Sequence, residues 1–216
     1  MNNQLHELLY YYNEEGNEGY DLNEVQLLEK KDFDRVEQLK RLLHHQDRYV
    51  AYQAMLILLA WGIPEGFELL DRFTAEKWDE KESFEPHRLH NQDNVYDIIT
   101  NALYISTFNG KSEQELYPYI KQFLQLYGDR FFESHLKDFL LNKNCRPLVQ
   151  EVEEAMQKAL EGKRYYQASQ LFPVLVYYDK NLFNQYIGIF TTLNIQDNRI
   201  AYNMDEAKKN NPNVSI

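Results

Sequence analysis

Asp47-Arg48-Tyr49-Val50-Ala51-Tyr52-Gln53-Ala54-Met55-Leu56-Ile57-Leu58-Leu59-Ala60-Trp61-Gly62-Ile63-Pro64-Glu65-Gly66-Phe67-Glu68-Leu69-Leu70-Asp71-Arg72-Phe73 carries the punctuation of two consecutive helices. Asp47 is of the N-cap type, able to accept from an orphan amide of the first turn. Val50, Ala54, Leu58 and Trp61 then recur at helical spacing, which predicts one apolar stripe, and Gly62 supplies the stop. Pro64 stands where a first-turn proline belongs and opens a helix bearing Phe67, Leu70 and Phe73.

The same signals continue in both directions. Asp21-x-x-Glu24 has the form of a capping box, Asp32 caps Val36, Leu39 and Leu43, and Ser112-x-x-Glu115 precedes Leu116, Ile120, Phe123 and Leu124. A helix is expected from Val95 to Asn109-Gly110, another from Asp129 through Phe132, Leu136 and Phe139, and another from Pro147 to Gly162. Tyr165 to Leu175 continues helically with a kink predicted at Pro173. Asp179 and Asp197 open the last two helices. The polar stretch 79–94 is the longest expected loop, and the tail 210–216 is expected to fray. The sum is about twelve short helices in a single helical domain, 1–216.

Composition agrees. Leu outnumbers Val by 28 to 9, and only 8 Gly and 6 Pro occur in 216 residues. That favours helices over a many-stranded sheet. The fold class is all-α. Gly62, Gly110 and Gly162 are 48 and 52 residues apart, a loose period of the kind that helical-hairpin arrays show. An irregular helical bundle is the alternative.

The stretch Asp47 to Ala54, with Leu58, Gly62 and Pro64 to Leu70, resembles one HEAT or HEAT-like repeat: an Asp, a Val three on, an Ala four further, a Gly ending the helix, and an apolar partner helix. The usual Arg after the Val is replaced by Ala51. The resemblance implies an α-α superhelix and leaves function open. HEAT-like iron enzymes carry repeated His-Glu pairs, whereas this chain has one, His6-Glu7.

No phosphate-binding glycine loop, nucleophile elbow or H-E-x-x-H is present. His87-x-x-His90 with Asp93 could place two imidazoles and a carboxylate on one helical face, as a metal enzyme would need. Pro86 and the polar surroundings favour a loop there instead, and no metal or other cofactor is assigned. The single Cys145 rules out an internal disulfide and fits a reducing compartment. With Lys143 and Arg146 beside it, it is expected as a partly exposed thiol. The start of the chain has no basic leader, and the apolar run Tyr49 to Trp61 is too short to span a bilayer, so a cytoplasmic protein without a membrane is expected.

The net charge is −11, from 23 basic and 34 acidic residues, which disfavours nucleic acid and suits a basic protein partner. The acids cluster: residues 1–34 carry −7 and residues 65–85 carry −5. Tyrosine is abundant, with 17 residues, and Tyr10-Tyr11-Tyr12 runs directly into Glu14, Glu15 and Glu18. Adjacent helical positions point in different directions, so at least one of the three is expected at the surface. The expected partner-binding residues are Tyr10, Tyr11, Tyr12, Glu14, Glu15 and Glu18, with Glu76, Asp79, Glu80, Glu82 and Glu85 as a second patch. Small acidic helical proteins without a catalytic motif resemble bacterial immunity proteins, whose toxins are often basic nucleases. The expectation is thus a non-catalytic binder of a basic protein, such as a toxin domain, with a generic HEAT-like adaptor as the alternative.

Overall fold

The computed structural model describes residues 3–11, 22–28, 33–87 and 91–211. It is all-α. Among the described residues there are twelve α-helices and no strand; Pro86 and Asp93 form an isolated antiparallel bridge. The chain divides into two compact units, 1–112 and 113–216.

The first unit holds α1 (Asn3–Tyr10), α2 (Leu22–Gln26), α3 (Phe33–Leu42), α4 (Arg48–Ala60), α5 (Pro64–Ala75) and α6 (Val95–Ser106). Asp47 caps α4 as expected, its side chain accepting from the Tyr49 amide at 2.9 Å. Gly62 adopts the left-handed φ of +70°, and Pro64 begins α5. The one-stripe reading of α4 needs correction: every residue from Val50 to Ala60 is buried. A helix apolar on all sides is a core helix, and α2, α3, α5 and α6 pack around this one. Trp61 ties α2 to its end, donating from Nε1 to the Val25 carbonyl at 3.2 Å. At the same end Asn109 Nδ2 donates to the Ala60 carbonyl at 2.7 Å, so the stop of α4 and the stop that follows α6 lie side by side.

The second unit holds α7 (Glu113–Leu126), α8 (His135–Asn142), α9 (Val149–Glu161), α10 (Tyr165–Tyr178), α11 (Asn181–Asn194) and α12 (Ile200–Asn210). Its central helix is α10, buried almost all round and continuous through Pro173. Phe172 stacks on Phe183 and Phe190 of α11, with ring centroids 5.7 and 4.9 Å apart. One sequence reading fails here. Asp129 starts no helix, because α8 begins only at His135. The buried Gln167 side chain competes for that backbone: its Nε2 donates to the carbonyls of Tyr127 and Arg130, and its Oε1 accepts from the Phe132 amide at 3.0 Å. Gly162 caps α9 as expected, at an ordinary φ of −72°, and the left-handed φ that follows falls on Lys163. Of the expected frayed tail, Asn210 closes α12, Asn211 is buried, and 212–216 lie outside the described residues.

Candidate functional site

The second acidic patch sits on the segment between α5 and α6. A short 3-10 turn, Trp78–Glu80, opens it, and Asp93 closes it. Two aromatic side chains sink this polar segment onto the core: Trp78 and Phe84 are buried. Phe84 lies 5.1 Å from Tyr52 and 5.2 Å from Phe73, centroid to centroid, and Trp78 lies 5.6 Å from Phe73. Arg48 covers the outer face of Trp78 at 4.9 Å, within the range of a cation–π contact.

Asp93 is the staple of the segment. Its Oδ2 accepts from Ser83 Oγ at 2.9 Å, the Phe84 amide at 2.6 Å and the Glu85 amide at 3.2 Å, while Oδ1 accepts from the Val95 amide at 2.9 Å. Backbone bonds from Asn94 to Glu85 and from His87 to Gln92 complete a hairpin-like return. Asp93 is therefore spent on backbone donors. Among the described residues no group of three His, Cys, Asp or Glu is placed to hold a metal ion, and His90 lies outside them.

The patch acids divide into two kinds. Glu76 accepts from Trp78 Nε1 at 2.9 Å, Asp79 from the Tyr96 hydroxyl at 2.8 Å, Glu80 pairs with Lys77 at 3.3 Å, and Glu82 with Arg48 at 2.9 Å. Glu76, Glu80 and Glu82 remain exposed despite these partners. Glu85 is different: it is half-buried, and no cation pairs with it among the described residues. Burial pushes its carboxyl up to about 7; the Tyr52 hydroxyl pulls the other way, and the charge of Asp93 adds a smaller push. Tyr52 is fully buried, with its hydroxyl beside the Glu85 carboxyl and no other partner.

Of the first patch, Tyr10 and Tyr11 are half-buried rather than exposed. The Tyr10 hydroxyl accepts from Gln53 Nε2 of the central helix, which makes Tyr10 a tether of α1 to α4. Tyr12, Glu14, Glu15 and Glu18 lie outside the described residues. Cys145 corrects the sequence reading: it is fully buried, and burial pushes its thiol up to about 12. It is a core residue without the thiolate character of a reactive cysteine.

Sequence reasoning placed the acids but missed Arg48, Tyr52 and Asp93 as the residues that organise them. The available signal was Asp93-x-Val95, a capping residue immediately before an apolar helix. Charge is distributed unequally: residues 1–112 hold 21 acids and 11 bases, residues 113–216 hold 13 and 12. No helix among the described residues is long and apolar enough to cross a membrane. Comparison with protein-family models, curated proteins and solved structures finds no significant match.

Proposed function

We propose that this chain is a non-catalytic protein-binding domain, and most concretely an immunity protein that neutralises a basic, nuclease-type bacterial toxin by direct binding in the cytoplasm. The observation that carries the reading is the charge asymmetry: a net −10 sits in residues 1–112, against −1 in the rest. Concentrated charge of one sign accelerates encounter with a partner of the other and suppresses wrong partners. Helical hairpins such as α4–α5, closely packed through Gly66, support a HEAT-like scaffold. An added Cβ at Gly66 would meet the Leu59 amide nitrogen at 2.8 Å. A buried, inert Cys145 suits a reducing compartment.

The test is kinetic and uses a basic nuclease toxin encoded beside the gene for this chain. Association is expected to slow with added salt, since exposed charges are screened over about 10 Å at 0.1 M. The variant Glu14→Lys, Glu15→Lys, Glu18→Lys is expected to slow association more than it speeds dissociation. Unchanged association rates at low salt, in this variant and in Glu76→Lys, Glu80→Lys, would refute the electrostatic reading. Failure of the chain to protect cells from the toxin would refute the immunity reading.

A further inference from the structure

Among the acids between Glu76 and Asp93, Glu85 has the Tyr52 hydroxyl beside it and, among the described residues, no cation. Asp93 holds four hydrogen bonds, Glu82 and Glu80 hold basic side chains, and Glu76 and Asp79 hold aromatic donors. Glu85 is near enough to Tyr49 and Tyr52 of α4, and to Asp93 in the return of the segment, for their charges to act on one another. The Tyr52 hydroxyl is wholly buried and has no partner besides Glu85. The Tyr49 ring beside it is 39% exposed, with its centroid 6.3 Å from that of Tyr52. Arg48, the basic neighbour on α4, is engaged by Glu82 and by the Trp78 face.

No cation pairs with this half-buried carboxyl among the described residues. A cation from outside offsets the cost of its desolvation by direct attraction. A guanidinium suits the place because it both pairs with a carboxylate and lies flat on an aromatic ring. We propose that Glu85, flanked by Tyr49 and backed by the Tyr52 hydroxyl, is the receptor for one arginine side chain of the protein partner. The inference rests on the protein-binding reading for the source of the arginine, while the receptor itself rests on the geometry. Capture of a cation favours the ionised carboxyl, so binding releases a proton and tightens as pH rises through about 7.

The experiment follows the Glu85 carboxyl and the Tyr49 ring by NMR in the full chain across a pH series. N-acetylarginine amide is the probe, and sodium chloride at equal ionic strength is the control. With the probe, the Glu85 midpoint is expected to fall by about one pH unit, a tenfold loss of proton affinity. The Tyr49 signals are expected to shift in the parent and not in Glu85→Gln. An equal fall in sodium chloride alone overturns the proposal, as does a Tyr49 shift retained in Glu85→Gln. A rise of the free midpoint in Arg88→Gln also overturns it, because the chain would then supply its own arginine. Probe binding without any protein partner sinks the proposed function and keeps the receptor. Charge-dependent partner binding without probe binding does the reverse.

Discussion

Replacing Glu85 by Gln keeps the shape of a half-buried side chain and removes its charge. The carboxyl titrates at about 7 in the folded chain, against 4.5 for an ordinary glutamate, chiefly because burial disfavours the ionised form. The folded state therefore holds this proton more tightly than the unfolded state does. The stability it contributes is complete below 4.5 and is lost as pH rises through about 7. At about 1.4 kcal/mol for each pH unit between the two values, ionised Glu85 costs the fold about 3 kcal/mol in alkali. Glu85→Gln is expected to match the parent at about pH 4 and to exceed it by about 3 kcal/mol at about pH 8. Both tryptophans, Trp61 and Trp78, lie in residues 1–112, so urea unfolding followed by their fluorescence reads the unit that contains Glu85. Taking variant minus parent at each pH cancels the titration of every other group. A difference that does not change with pH would refute the account of Glu85 as a desolvated acid.

Further outcomes follow from the packing. Leu58→Ala empties a fully buried site in the central helix and is expected to cost roughly 2–5 kcal/mol by urea unfolding. Gln167→Ala removes its hydrogen bonds to the carbonyls of Tyr127 and Arg130 and from the amide of Phe132; a loss of about 2–4 kcal/mol is expected, together with faster hydrogen exchange at the Phe132 amide. Cys145 is expected to resist thiol-specific reagents in the native chain and to react on addition of urea, and prompt native labelling would contradict its burial.

How much of this was legible in the sequence depends on the range over which each decision is made. Asp47, Gly62 and Pro64 act on amides or φ angles within a turn, and each stands in the structure where its local chemistry puts it. The break before α8 was not legible because the side chain responsible, Gln167, comes 35 residues after the Phe132 amide that it binds. The burial of α4 was legible and misread. A run from Tyr49 to Trp61 broken only by Gln53 has no polar face to turn to water, so a single stripe was the wrong template. The acidic patch was found by composition, but composition cannot separate Glu82, paired with Arg48, from Glu85, which has no cation paired with it among the described residues. That difference is set by contacts across the fold.

On the proposed protein-binding reading, the same difference divides the work of binding between two groups of acids. At distances well beyond its own length, an ion pair is nearly neutral, so Glu82 with Arg48 and Glu80 with Lys77 contribute little to steering. The net charge is concentrated in residues 1–34, which carry −7 of the −10 in residues 1–112. Steering thus belongs to that segment, with Glu14, Glu15 and Glu18 in it. Glu85, half-buried and partly protonated near neutrality, adds little to the long-range field and acts only on contact. Long-range charge sets association, whereas a desolvated pair at the contact sets dissociation. Reversal of Glu14, Glu15 and Glu18 is therefore expected to slow association with little effect on dissociation, and Glu85→Gln to speed dissociation with little effect on association. Salt should abolish most of the first effect and leave the second, because a desolvated pair is poorly screened. Surface-immobilised toxin and a salt series separate the two rates. If both variants change the association rate alone, Glu85 belongs to the diffuse field and has no seat of its own in the interface.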